Sequence, residues 1–131
     1  MNKMNNLILD FYQIQKKFGY LKSVNISREI DNIGCTDYQM VMFLCNFPYY
    51  EGDSMMKLKF KGVKDLKLSE LDGLVKLLIS IKDLSTDQME GVGYKIKEDE
   101  NNLFSFFCEK FEYEEGTSRS VKHSVVNGEN V

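Results

Sequence analysis

The most constraining feature of the chain is an alternation of apolar and charged residues over positions 55–68, MMKLKFKGVKDLKL. Successive side chains of an extended chain point to opposite sides. The apolar residues at positions 56, 58 and 60 therefore share one side, and the lysines at 57, 59 and 61 share the other. This pattern predicts a β-strand with one buried and one solvated face. Gly62 interrupts the alternation, which predicts a bulge or bend at that residue.

Other segments predict one helix and several more strands. Apolar residues recur three and four apart over positions 5–18, and Gly19 follows as a stop signal, which indicates an amphipathic helix. Residues 24–33 begin with a period of two and end in a turn. Residues 38–47, YQMVMFLCNF, are apolar in both alternating sets and predict a central strand covered on both sides. GYKIKED and LFSFFCEKFEY flank a turn at 100–102 and predict a β-hairpin.

The remaining segments are less regular. Residues 48–54, PYYEGDS, predict a loop that carries two adjacent tyrosines. Residues 69–85 fit a helix as well as a strand; we expect a turn at Gly73 and then a strand from about Val75 to Ile81. The spacing of Ser85 and Gln88 predicts one helical turn. Together these elements predict an α+β fold in which an N-terminal amphipathic helix packs on one face of an antiparallel five- or six-stranded sheet.

Length and composition limit the class of protein. A chain of 131 residues with 43% hydrophobic residues is expected to form one globular domain over 1–116, followed by a polar, loosely ordered tail over 117–131. No apolar run approaches the roughly 20 residues of a membrane span, and the first residues lack a signal-peptide pattern. We therefore expect a cytoplasmic monomer or weak dimer without membrane contact. The three cysteines, odd in number and far apart, favour buried thiols over disulfides or a zinc site.

The charges are unevenly distributed along the chain. Residues 53–67 carry a balance of +3, whereas residues 98–115 carry −6. Strict alternation in the last strand puts Phe107, Glu109, Phe111 and Tyr113 on one face and Phe106 on the other. Because an unpaired buried carboxylate is costly, the strand is expected to leave the core near Glu109 and to display its acids beside aromatic rings. Such a rim suits docking of a basic protein, although the same glutamates also serve to keep an exposed hairpin soluble.

Catalytic and cofactor motifs are not found. The one histidine, His123, lies in the predicted tail, away from any nucleophile. GVG at 91–93 is not a dinucleotide-binding fingerprint, and the acids at 98–100 are expected to form a solvated turn. The alternating lysines at 57, 59 and 61 do not indicate nucleic-acid binding, because the pI is near 5.2 and no arginine accompanies them. We expect no enzyme activity, no cofactor, no metal and no nucleic acid.

The segments KLKFKGVKDLKL, SIKDLSTDQMEGVGYKI and ENNLFSFFCEKFEY, within residues 55–114, resemble a pattern in bacterial immunity proteins. These proteins are paired with toxins of contact-dependent growth inhibition and other polymorphic toxin systems. The resemblance implies a non-enzymatic partner that binds one toxin domain, such as a nuclease, and occludes its active site or substrate surface. The residues predicted to contact the toxin are Glu98, Asp99, Glu100, Glu109, Glu112, Tyr113, Glu114, Glu115, Tyr49 and Tyr50.

A second hypothesis belongs to a different class. The chain would be a small-ligand or carbohydrate binding domain, with a cleft formed by Tyr49, Tyr50 and one face of the sheet. The two hypotheses differ in the surface that they require. An immunity protein should show a mostly filled core and a convex acidic surface, whereas a ligand binder should show a deep pocket with converging polar groups.

Overall fold

The computed structural model describes residues 3–84 and 91–117. It contains one helix and seven strands, which are α1 (Lys3–Gln15), β1 (Tyr20–Ser27), β2 (Tyr38–Cys45), β3 (Ser54–Leu68), β4 (Ile79–Asp83), β5 (Tyr94–Glu98), β6 (Phe104–Cys108) and β7 (Lys110–Thr117). The prediction of one N-terminal helix on an antiparallel sheet is confirmed, but the sheet has seven strands and not five or six.

The long strand β3 organises the sheet. The strand order is β1-β2-β3-β6-β5-β4, all neighbours are antiparallel, and β7 also pairs with β3. Residues 54–61 of β3 pair with β7, and residues 64–68 pair with β6. We call β1, β2, β7 and residues 54–61 the first half-sheet. The second half-sheet consists of β4, β5, β6 and residues 64–68.

A bend joins the two half-sheets. Gly62 has a φ of 69°, and a Cβ atom on this residue would lie 2.9 Å from the Cβ atom of Glu109. Glu109 lies between β6 and β7, and its N–H donates to the carbonyl oxygen of Lys61 at 2.8 Å. The predicted bend at Gly62 is confirmed. A left-handed backbone and a neighbour this close both favour glycine.

The bend also corrects a prediction about the last strand. Strict alternation placed Phe111 on the side opposite to Phe106, near the point where the strand leaves the core. That prediction was wrong, because the irregularity at Glu109 restores Phe111 to the inward side, where it is 7% exposed and contacts Tyr94. Phe106 is fully buried against Phe60. The core therefore continues across the bend from one half-sheet to the other.

Helix α1 packs against both half-sheets. Phe11 is fully buried and its ring contacts the rings of Phe111 and Tyr113 in β7. On the other side the hydroxyl of Tyr12 accepts from the N–H of Ile81 at 2.9 Å and donates to the carbonyl oxygen of the same residue at 3.3 Å. Because these are main-chain groups of the edge strand β4, the helix contacts β4 as well as β7.

Strand β2 is less covered than predicted. Met40, Met42 and Leu44 are buried on the inner side, whereas Val41 and Phe43 are only half-buried on the outer side. The prediction that both sides of this strand are covered was therefore wrong. The lysines of β3 are its neighbours on that outer side and they cover it only in part.

The remaining predicted segments are confirmed in part. The loop after β2 and the hairpin of β5 and β6 are confirmed. Residues 69–78 are irregular, and the next strand begins at Ile79, later than the predicted Val75. Thr117 belongs to β7 and not to the tail. The predicted helical turn at 85–88 and the tail from 118 onward lie outside the described residues. Within 3–84 and 91–117, no helix is long and apolar enough to cross a membrane.

Candidate partner-binding surface

The lysine-rich and glutamate-rich segments of the sequence are neighbouring strands. In the ladder of β3 and β7, Lys57 lies opposite Glu114 and Lys59 lies opposite Glu112. The Nζ atom of Lys61 lies 3.5 Å from a carboxylate oxygen of Glu112, and the corresponding distance for Lys57 and Glu114 is 4.0 Å. Exposed pairs of this kind contribute little to stability. They do neutralise the acidic strand, so the charge separation seen in the sequence is largely cancelled on this surface.

The other two predicted residues of β7 contact the helix and the residues that follow it. The hydroxyl of Tyr113 donates to Asp10 Oδ2 at 2.6 Å and lies 3.2 Å from the carbonyl oxygen of Leu7. Burial, followed by the bond to Asp10 and its charge, raises the pKa of Tyr113. The Oε1 atom of Glu115 lies 3.5 Å from the Nζ atom of Lys17. The position of Tyr113 between helix and sheet makes it a tether of the helix.

Glu98 is a structural carboxylate. The prediction that it lies in a solvated turn was wrong, because the residue is 0% exposed. Oε2 accepts the N–H groups of Leu78 and Glu100, and Oε1 accepts those of Asn101 and Leu103, at distances of 2.8–3.1 Å. Burial acts to raise the pKa of Glu98, but the four backbone hydrogen bonds outweigh it and the pKa is lowered. Glu98 holds the turn between β5 and β6 in place and is not available to a partner.

The remaining predicted acids are not brought together. Asp99 and Glu100 are exposed in the turn that precedes β6, whereas Glu114 and Glu115 lie near the end of β7. At about 3.3 Å per residue, roughly 35 Å of bent strand separate the two pairs. Glu109 is exposed at the bend between them. The structure therefore contains no single acidic border among its described residues.

An aromatic cluster lies at one end of the first half-sheet. The rings of Tyr20 and Phe47 are 5.9 Å apart, and Lys22 Nζ lies 5.4 Å from the centroid of Tyr49. Phe47 is 60% exposed and Tyr50 is 67% exposed. We call Tyr20, Phe47, Tyr49 and Tyr50 the aromatic end. Phe47 and Tyr20 were not predicted as part of the site, although FPYY in the sequence is a signal for Phe47.

The loop that carries these rings has internal hydrogen bonds. Asp53 Oδ2 accepts the N–H of Tyr50 at 2.9 Å, and the N–H of Asp53 donates to the carbonyl oxygen of Tyr50 at 2.9 Å. Directly after the loop, Ser54 pairs with Thr117 and Met56 pairs with Glu115. The last residues of β7 therefore lie at the same end of the half-sheet as Tyr49 and Tyr50. Of the predicted contacts, these two tyrosines, Glu114 and Glu115 are the ones that the fold brings near one another.

The ligand-binding hypothesis finds little support in the described surface. A groove lies between β1 and the irregular segment before β4, and it does not include Tyr49 or Tyr50. Its lining residues are Leu21, Leu71, Asp72, Gly73, Leu74, Val75, Leu77 and Leu103. Apart from Asp72 these side chains are aliphatic or absent. The groove therefore lacks the converging polar groups that orient a small ligand.

Possible metal ligands and the cysteines lie apart from one another among the described residues. Within these residues, no group of three or more His, Cys, Asp or Glu side chains is placed to hold a metal ion. Burial raises the pKa of the Cys108 thiol to about 12 and also raises that of Cys45, so both thiols stay protonated. Cys35 is exposed and its Sγ atom lies 3.2 Å from Arg28. His123 lies outside the described residues.

Comparison with known proteins gives one match. A family model described as Immunity protein PIM8 matches residues 3–114, which include the helix and nearly all of the sheet. No curated protein matches the chain. No solved structure matches it either.

Proposed function

We propose that the chain, which belongs to the PIM8 family of immunity proteins, neutralises a cognate toxin domain. It would do so by binding the toxin through the aromatic end. Binding there would occlude the active site or the substrate surface of the toxin. In this proposal the chain acts as an inhibitor by contact and carries out no chemical step. The observation that carries the proposal is the exposure of Phe47 and Tyr50 on a hydrogen-bonded loop.

Two physical arguments support this choice of surface. Aromatic residues dominate the energy of protein interfaces because each removes a large apolar area from water when a partner covers it. A loop that is already ordered also loses less conformational entropy on binding than a flexible one. The hydrogen bonds between Tyr50 and Asp53 provide such order.

The neighbouring acids have a smaller role in the proposal. Glu114 is 55% exposed at its side chain and Glu115 is 35% exposed, and each has a lysine within 4.0 Å. Charges at the rim of an interface mainly affect the association rate and its dependence on salt. We therefore assign the affinity to the rings, and we expect Glu114 and Glu115 to contribute little, because their lysine partners largely cancel their charge. Asp99, Glu100 and Glu109 lie away from this surface and are not part of the proposed interface.

The test compares two pairs of exposed apolar residues. The variant Phe47→Ala/Tyr50→Ala removes the two exposed rings of the aromatic end. The control Ile30→Ala/Ile33→Ala removes two side chains, 73% and 91% exposed, from the connection between β1 and β2 at the opposite end of the half-sheet. Each full-length protein is co-expressed with the toxin domain encoded by the neighbouring gene. Bacterial growth and the dissociation constant of the purified complex are measured.

The two variants are expected to behave differently. Loss of two hot-spot rings, at about 2 kcal/mol each, weakens binding by roughly 1,000-fold and abolishes protection of growth. The control binds within about threefold of the native protein. Circular dichroism confirms that both variants are folded. Full protection by Phe47→Ala/Tyr50→Ala, or equal loss in both variants, would contradict the proposed interface.

A further inference from the structure

The outer sides of β4, β5 and β6 carry lysines without acids. In β4, β5 and β6, alternate side chains are buried, and the others point outward. The outward residues of these three strands are Ser80, Lys82, Lys95, Lys97, Ser105 and Phe107. We call Lys82, Lys95 and Lys97 the lysine face. No outward position of the three strands holds an aspartate or glutamate.

The register of the strands places like charges opposite each other. Lys82 pairs directly with Lys95, and Lys97 pairs with Ser80 on one side and Ser105 on the other. Like charges at directly opposed positions destabilise a sheet. This arrangement therefore has an unfavourable electrostatic energy in the isolated protein.

The lysine face forms no ion pair within the described chain. The ion pairs among the described residues involve other lysines, at positions 17, 57, 61, 64 and 67. Lys64 and Lys67 border the face, but both are paired with acids. The Nζ atom of Lys64 lies 3.1 Å from Asp37 Oδ2, and the Nζ atom of Lys67 lies 3.4 Å from Asp65 Oδ2. Lys95 Nζ lies 4.6 Å from the centre of the Phe107 ring. Such a contact positions a cation without neutralising it.

We propose that the lysine face binds an extended acidic segment of a partner polypeptide. Carboxylates between Lys82 and Lys95 would relieve the repulsion and form charge-assisted hydrogen bonds. The spacing is suitable, because Lys95 and Lys97 are two residues apart in one strand. Alternate side chains of an extended chain, whether lysine or glutamate, repeat at about 7 Å.

An acidic polypeptide suits this face better than a nucleic acid does. The protein has a net charge of −3, which opposes the approach of a long polyanion, while a short segment within about 10 Å mainly senses the local lysines. The face also lacks a free aromatic surface on which bases could stack, since Lys95 lies over the Phe107 ring. This inference concerns the second half-sheet and does not depend on the aromatic end.

The test uses a fluorescent deca-glutamate peptide and the full-length protein at low ionic strength. The variant Lys82→Gln/Lys95→Gln/Lys97→Gln removes the three positive charges of the lysine face. The control Lys57→Gln/Lys59→Gln/Lys61→Gln removes the same charge from outward positions of β3, where two of the lysines have glutamate partners. Fluorescence anisotropy measures peptide affinity, and a single-stranded oligothymidylate of equal charge is titrated in parallel. Thermal unfolding confirms that both variants are folded.

The face variant is expected to bind the peptide at least tenfold more weakly than the native protein, and the control within about threefold. In the native protein, the backbone amides of β4, β5 and β6 should shift in NMR spectra on titration. No binding of the peptide to the native protein, equal weakening in both variants, or tighter binding of the oligothymidylate would each overturn the inference. The growth-protection assay reports on the aromatic end separately, so failure of one proposal leaves the other standing.

Discussion

The two half-sheets share a pattern in sequence but differ in the charge that they present. KLKFK in the first half-sheet and YKIKE in the second both alternate lysines with apolar residues. In the first half-sheet, β7 places Glu112 and Glu114 beside those lysines. In the second, β4 places Lys82 opposite Lys95. The difference shows that the charge of a sheet surface depends on which strand is the neighbour.

The acids of the two half-sheets differ in the same way. Glu112 and Glu114 are exposed and paired with lysines. Glu98 is fully buried and paired with backbone N–H groups. An exposed ion pair is weak because water screens it, whereas a buried carboxylate with four donors cannot be removed without leaving those donors unsatisfied. The most costly carboxylate to remove is therefore expected to be Glu98.

The largest expected effect comes from Glu98→Ala. The change leaves four N–H groups without their acceptor and creates a cavity, so it should lower the free energy of unfolding by about 4 kcal/mol. Glu112→Ala, the matched change on the first half-sheet, should cost less than about 1 kcal/mol. Urea unfolding followed by circular dichroism measures both. Similar losses for the two variants would remove the contrast between the half-sheets.

The lowered pKa of Glu98 predicts a dependence of stability on pH. Because the pKa in the folded protein lies below its usual value of 4.5, Glu98 contributes stability above that pH. The contribution is lost as the pH falls through the folded-state pKa. In Glu98→Gln the stability is lower at neutral pH and decreases less between about pH 5 and pH 3. A native-like decrease in this variant would assign the acid sensitivity to other carboxylates.

The next comparison concerns Tyr12 and Tyr113, whose hydroxyl groups form hydrogen bonds between the helix and the sheet. Tyr12→Phe removes the hydroxyl that both donates to and accepts from the main chain of Ile81 in β4. We expect a loss of about 1–2 kcal/mol in stability. Tyr113→Phe removes the bond to Asp10, which is exposed, and should cost less than about 1 kcal/mol. Hydrogen exchange at the N–H of Ile81 should accelerate in the first variant but not in the second, and the reverse order would contradict this account.

The smallest effect is expected for single lysines. Lys82→Gln should raise stability by a few tenths of a kcal/mol, because it removes repulsion with Lys95. Lys57→Gln should lower stability by a similar amount, because it removes the pair with Glu114, which lies directly opposite. Thermal unfolding at low and high salt measures both, and the opposite signs should converge at high salt. Equal signs at low salt would show that the register does not control these energies.

Much of the fold could be predicted from local patterns. The strand around Leu58, the bend at Gly62 and the N-terminal helix all follow from periodicity and from one glycine. The face of Phe111 could not be predicted, because the irregularity at Glu109 has no local signal and moves every later side chain to the other side. The start of β4 was also uncertain, since the leucines of the preceding segment, residues 69–78, fit a helix and a strand equally well.

The candidate surfaces could be predicted less well. Tyr49 and Tyr50 were found because two tyrosines in a turn are unusual. The role of Glu98 was missed, since it depends on N–H groups as far away in sequence as Leu78. The lysine face was missed as well, because Lys82 and Lys95 come together only through the pairing of β4 with β5.

The sequence by itself determined which side of the long strand β3 is apolar, where that strand bends and how much charge the chain carries. These properties depend on neighbouring residues and on the geometry of an extended backbone. The tertiary structure alone decided which charges meet, which carboxylate is buried and which rings share one end of the sheet. Those properties depend on strand order and register, which bring together residues that are distant in the chain.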